Sequence, residues 1–345
     1  MTRVPTAIGD HGVPVAKRWK LGETPWRDDE PAPPSMRLII DNDFSGDPDD
    51  LYQLVHHLLS PTVDIRLIVA SHLRPGDPLD PSEHTAANAE LVVHDVLARM
   101  GLEAADRVVA GAPHAIPDMV TPHDGPAARA IVEEAMRDDD RPLYYAAGGG
   151  LTDLASASLL EPRIASRLTL IWIGGNEHDG LALPPPGAMP IEYNLLIDVE
   201  AGRVLFAAAD LTIWQVPRDI YRQCLVSETE LRQRVGGAGP LGGYLMDETR
   251  HVMDAVARQG GPHGETYALG DSPLVLLTAL QSVFQSDSSS SFHVTRPTPE
   301  ITDDGGYRQI DGARPMRIYT QVDVRLMFED LFLKLNEFCR WQADR

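Results

Sequence analysis

Cysteine is nearly absent from this chain: two residues, Cys224 and Cys339, stand among 345. Neither has a neighbour at metal-ligand spacing, so no disulfide framework is indicated, and a reducing, cytoplasmic setting is expected. Basic residues are scarce as well. Thirty Lys and Arg against 51 Asp and Glu give a formal charge of −21, which argues against a nucleic-acid partner, because backbone binding needs a basic face. No run of 18 apolar residues occurs and no charged-then-apolar leader opens the chain, so neither a membrane span nor export is expected. No internal repeat is evident. A hydrophobic content of 43% over this length suffices for the core of one large α/β domain or two modest ones.

Acid is what the chain has in surplus, and it is concentrated. The apolar run Leu38, Ile39, Ile40 reads as a buried strand that ends in five carboxylates within ten residues: Asp41, Asp43, Asp47, Asp49 and Asp50. Gly46 and Pro48 then bend the chain, and Leu51, Leu54, Val55, Leu58 and Leu59 restart it with a helical period. A strand-to-helix loop at the carboxyl end of a strand is where open α/β sheets place their ligands. Clustered carboxylates repel one another, and a hard cation with oxygen ligands, Ca²⁺ or Mg²⁺, holds them together. Capping of the following helix also favours acids there, but needs fewer of them.

Residues 1–35 are rich in proline, glycine and charge, and Pro31, Pro33 and Pro34 close the stretch. They read as an extended N-terminal arm, docked through Trp19 and Trp26 on its own domain or on a neighbouring subunit. Residues 36–345 form the remaining domain. Strands are predicted at 63–71, 108–111, 143–147, 168–173 and 211–216, and helices at about 82–100, 126–137, 152–160 and 200–209. This βαβα rhythm predicts an α/β fold, an open, mostly parallel Rossmann-like sheet with helices on both faces. Further on, helices are predicted at 241–258, 272–284 and 325–341, a strand at 318–324, and irregular chain from the serine run at 286–291 to about Arg314.

Three further features sit at predicted strand ends. Gly148-Gly149-Gly150 lets backbone approach a ligand closely, but lacks the spacing and the lysine of a phosphate loop. Glu192 and Asn194 place a carboxylate and an amide two residues apart, suited to gripping sugar hydroxyls. Gly270-Asp271-Ser272-Pro273 puts an acid at a helix start, where capping is the simple alternative.

Together and in this order, these segments resemble the inosine/uridine-preferring nucleoside hydrolases over about residues 36–335. The stretch from Asp41 to Asp50 is similar to that family's Asp-x-Asp-x-Gly-x-Asp-Asp loop with two extra residues. Its Gly-Asp-Pro-Asp-Asp form looks like a divergent branch described as sugar-binding. Gly149-Gly150-Leu151-Thr152-Asp153-Leu154-Ala155 resembles Gly-Pro-Leu-Thr-Asn-Leu-Ala; Glu192 to Ala201 resembles Glu-Phe-Asn-x-x-x-Asp-Pro-Glu-Ala; Asp271-Ser272-Pro273-Leu274 resembles a late Asp-Pro-Leu.

The resemblance implies the nucleoside hydrolase fold and Ca²⁺-dependent cleavage of an N-riboside into ribose and base. Asp43, Asp50, the Gly148 carbonyl and Asp271 would hold the metal. Asp49 would be the general base on the attacking water and would also touch the sugar, with Glu192 and Asn194 on ribose hydroxyls. A small-molecule nucleoside or riboside is the implied partner, and a homodimer or homotetramer the implied assembly.

Two departures matter. Val69-Ala70-Ser71-His72 stands where the family has Asn, so His72 takes over a ribose contact or the contact is lost. Gly270 stands where the family has the His that helps the leaving base depart, so His123, His263 or Tyr267 would have to supply that proton. Two alternatives from other classes are a non-catalytic calcium-dependent nucleoside or sugar binder of the same fold, and an aspartyl-phosphate phosphatase, which lacks a convincing phosphate-binding lysine.

Overall fold

A computed structural model describes residues 4–258, 260, 261, 264–282, 284 and 290–344. Strands β1 (Met36–Asn42), β2 (Val63–Ala70), β3 (Val108–Ala110), β4 (Leu143–Ala147), β5 (Leu168–Ile173) and β6 (Thr212–Val216) alternate with helices α1 (Asp49–Leu58), α2 (Thr85–Met100), α3 (Pro126–Ala135), α4 (Thr152–Leu160), α5 (Tyr193–Ile197) and α6 (Val199–Ala207). Then come α7 (Arg218–Tyr221), β7 (Leu225–Ser227), α8 (Glu228–Arg234), α9 (Pro240–Arg258), β8 (Thr266–Ala268), α10 (Pro273–Leu276), β9 (Phe292–Pro297), β10 (Glu300–Ile301), β11 (Tyr307–Arg308), β12 (Pro315–Gln321) and α11 (Val324–Ala343).

The central sheet runs β3-β2-β1-β4-β5-β6-β12-β9. All its pairings are parallel except that of β9 with β12. Because β2 lies on one side of β1 and β4 on the other, the strand order reverses at β1. The carboxyl ends of β1 and β4 therefore flank the crevice where such sheets bind ligands.

β1 is buried along its whole length, and its side chains alternate between two apolar layers with the two-residue period of a strand. Leu38 and Ile40 face one apolar layer with Val55, Leu276 and Phe332, whereas Ile39 between them faces the other with Tyr145, Trp172 and Ile213. Ile39 is fully buried, so Ile39→Ala would destabilise the sheet by about 2–5 kcal/mol. Among the described residues, no helix is long and apolar enough to cross a membrane.

The predicted helix at 272–284 proves to be the single turn α10. Thr278 donates its hydroxyl to the Leu274 carbonyl at 2.6 Å, and its backbone N–H reaches Val275 rather than the carbonyl four residues back, so the ladder stops. The stretch from 292 to 314, expected to be irregular, contains β9, β10 and β11. β9 is an edge strand with no continuously buried face, which erases the alternation a sequence reading relies on. Residues 286–289 of the serine run lie outside the described residues.

Trp19 is buried against the domain of its own chain. Its indole N–H donates to the Met100 carbonyl at 2.8 Å, and Trp26 packs edge-on between it and Phe338.

Candidate active site

β1 delivers the acidic loop to the crevice. Asp43 closes a turn by accepting the Gly46 N–H at 2.8 Å on its carbonyl, and α1 starts at Asp49. Asp43, Asp50 and Asp271 are all buried. Asn42, which the sequence reading did not single out, ties β1 to the late acid: its Nδ2 donates to Asp271 Oδ2 at 2.6 Å. Both carboxylate oxygens of Asp50 are buried without a hydrogen-bond partner, an arrangement that is unfavourable unless something positive meets them.

Burial, reinforced by the neighbouring acids, pushes Asp43, Asp49 and Asp50 well above the ordinary carboxylate range. Burial pushes Asp271 up to about 7, opposed by the Asn42 amide. Among the described residues, no three His, Cys, Asp or Glu side chains already converge as a ready metal-ligand set. The donor chemistry nevertheless fits a hard cation, since it is all oxygen and Asp50 offers two uncommitted atoms.

The glycines after β4 are required by distance. A Cβ on Gly148 would stand 2.5 Å from Asp271 Oδ2 and 2.3 Å from Asn42 Nδ2, and one on Gly149 3.0 Å from Asp43 Oδ1. Asn194 Nδ2 donates to the Gly148 carbonyl at 2.6 Å and to the Ile173 carbonyl at 2.8 Å. Both amide hydrogens are thereby committed, and the carbonyl proposed for the metal keeps one lone pair free.

Glu192 caps α5 and is fully buried. Oε1 accepts from the Asn194 N–H at 3.0 Å and the Tyr221 hydroxyl at 2.7 Å. Oε2 accepts from the Gly175 N–H at 2.6 Å and the Leu195 N–H at 3.1 Å. The Tyr193 hydroxyl donates to Asp77, which also accepts the Leu79 N–H at 2.9 Å.

These groups surround a cavity of about 300 Å³. Asp43, Asp49, Glu192, Asn194, the Gly148 backbone and Asp271 all line it, with Asp47, Asp77, Tyr193 and Tyr221. No Lys, Arg or His is among its described lining residues.

Other predicted residues lie elsewhere. His72 is buried, with Nδ1 on the Leu73 carbonyl and Nε2 against Thr152 Oγ1, each at 2.9 Å. It does not line the cavity, and burial holds its pKa below the ordinary value. His123 places Nε2 3.1 Å from the Ala115 carbonyl and stacks edge-on with His114, again away from the lining residues. Tyr267 donates its hydroxyl to Asp47 and so touches the acidic loop from β8 without lining the cavity. His263 lies outside the described residues. Cys224 is buried, with its thiol pushed up to about 12 by that burial. Tyr221 and Asp77 were missed: a four-residue helix and a proline-rich loop carry no period that points inward.

The family model for inosine-uridine preferring nucleoside hydrolases matches residues 38–329. The chain belongs to that family. An inosine-uridine preferring nucleoside hydrolase from Leishmania major is 31% identical over 218 residues, 62% of this chain and 65% of the relative. One from Crithidia fasciculata is 31% identical over 111 residues, 31% of this chain and 32% of the relative. The chain thus spans less than two thirds of either curated relative.

Among solved structures, a purine-preferring ribonucleoside hydrolase from Gardnerella vaginalis shares 18% identity at a TM-score of 0.67, covering 88% of this chain and 99% of that one. An inosine-uridine preferring nucleoside hydrolase from Bacillus anthracis gives 18% and 0.59, with the same coverage. The nucleoside hydrolase fold expected from the motifs is therefore the observed one, and the phosphatase alternative falls away.

Proposed function

We propose that the chain hydrolyses the N-glycosidic bond of a ribonucleoside or related N-riboside to free ribose and base. The observation that carries this is the shared cavity: Asp49 opens onto the same 300 Å³ as Asn194 and the Glu192–Tyr221 pair, above a buried floor of carboxylates. In this reading Asp43, Asp50, Asp271 and the Gly148 carbonyl hold Ca²⁺, which when bound supplies positive charge that lets the crowded acids ionise and polarises oxygens beside it. Asp49 takes the proton from a water that attacks the anomeric carbon, while the C–N bond breaks and its electron pair leaves with the base. Asn194 Oδ1 remains as an acceptor for a sugar hydroxyl. A cytoplasmic homodimer or homotetramer belongs to the same reading, and sedimentation would check the assembly.

The test is release of reducing sugar from inosine, uridine, adenosine, cytidine and p-nitrophenyl riboside in the presence of CaCl₂. Release from at least one is expected, and silence on all of them would overturn the hydrolase reading. A second reading, a calcium-dependent binder without turnover, is favoured by one observation. Among the described lining residues there is no His, and the phenols, Tyr193 and Tyr221, already give their protons to carboxylates, so neither an imidazole nor a free phenol stands ready for a leaving base. Calorimetric binding of ribose without release would support it.

A further inference from the structure

Glu192 accepts two hydrogen bonds on each oxygen, and a carboxylate offers about four acceptor positions. Its acceptor capacity is therefore filled by the protein itself. Three of the donors are backbone N–H groups of the segments the carboxylate joins, Gly175, Asn194 and Leu195. The fourth is the Tyr221 hydroxyl, the one side-chain donor of the four, on a residue that lines the cavity.

A phenol oxygen that donates its hydrogen still has lone pairs to accept with. A ligand hydroxyl reaching this wall therefore finds a free acceptor on Tyr221 Oη, beside a carboxylate whose acceptor positions are already taken.

The ring is also held in place. α7 is fastened to the loop after β5 by Arg218, whose guanidinium makes two bonds to Glu177, at 2.6 and 2.8 Å, and one to the Met189 carbonyl at 2.9 Å. A Cβ at Gly270 would lie 3.2 Å from Tyr221 Cδ2 and 3.1 Å from Asp49 Oδ2. The phenol thus fills the wall from Glu192 to the glycine that borders Asp49.

We infer that Tyr221 is a specificity-determining residue of this cavity, accepting a hydrogen bond from one sugar hydroxyl and passing the polarisation to Glu192. This deepens the hydrolase reading and rests on it for the choice of ligand.

The test compares wild type with Tyr221→Phe on four p-nitrophenyl glycosides in CaCl₂: the riboside and its 2-, 3- and 5-deoxy forms. Melting temperatures are taken alongside. In wild type each missing hydroxyl lowers kcat/KM. In Tyr221→Phe the riboside loses about tenfold or more, the size of one hydrogen bond to a charge-coupled group. The penalty for one particular deoxy form shrinks to near unity while the other two persist. A merely structural role would lower all four substrates by one factor, and that outcome, or no change on any of them, overturns the inference. If wild type releases no sugar at all, the hydrolase reading fails by itself. Calorimetry with ribose and the three deoxyriboses then carries the same comparison in Kd, with a uniform loss or no loss again overturning the role of Tyr221.

Discussion

Asp50→Asn puts the metal reading to its sharpest test, because calcium should reverse its effect. The side chain keeps its shape and loses its charge. Without a cation, two buried acceptor oxygens lack partners, an arrangement that costs about 1–3 kcal/mol or more. Removing the charge next to Asp43 and Asp271 should therefore leave the chelated protein as stable as wild type or more so. At about 2.1 cal/mol/K of unfolding entropy per residue over 345 residues, each kcal/mol moves the melting point by roughly 1.4 °C. The chelated variant should thus melt about 0–4 °C above chelated wild type.

Calcium at a hundred times its Kd adds about 2.7 kcal/mol to a protein that binds it, or about 4 °C for wild type by the same conversion. An amide brings neither charge nor a second ligand oxygen, so the variant should gain under about 1 °C at that concentration. Differential scanning calorimetry with EDTA and with CaCl₂ reads all four values. A variant that gains as much from calcium as wild type would refute the placement of the ion against Asp50.

Asp49→Asn should lower turnover by about 10²–10⁴-fold while keeping the calcium-dependent rise in melting temperature; loss of both together would merge the base with the ligands. With no His or Lys on the described lining of the cavity, p-nitrophenyl riboside, whose leaving group departs unprotonated, should turn over far faster than inosine, and equal rates would reveal an acid elsewhere. A last expectation concerns pH and stability. His56 is fully buried beside Asp330 Oδ2 at 2.7 Å, and burial, opposed by that bond, lowers its pKa from 6.5 to about 4. Its contribution is present above the unfolded value and is lost as pH falls towards the folded one, because the unfolded chain takes up the proton first. Between pH 7 and pH 5, wild type should lose about 2 kcal/mol more than His56→Gln in urea unfolding, and parallel losses would refute it.

The acidic loop was legible because a buried apolar run ends in charges, a contrast that short-range pattern reading detects. The same holds for β1, β4, β5 and α4, whose residues alternate or cluster within a single window. Glu192 and Asn194 were legible as a pair, but their hydrogen bonds were not, since the donors come from Gly175, Tyr221 and the next turn. Tyr221 and Asn42 act over separations of 29 and 229 residues, and no local period encodes such partners. His72 and His123 stood out for the opposite reason: a titratable side chain attracts attention wherever it falls, and the structure sets these two against nearby carbonyls and a threonine, away from the residues that line the cavity.

The Asn42–Asp271 bond also sets an order of events in time. β1 emerges early from the ribosome, and its acids wait while more than two hundred further residues are made. Closing so long a loop is slow relative to forming the local βα units, so the early half of the sheet can pair while the carboxylate floor is still open to water. Assembly of the pocket, and any ion that stabilises it, thus comes late. Its effect then falls chiefly on how long the finished molecule stays folded, and only weakly on how fast it folds.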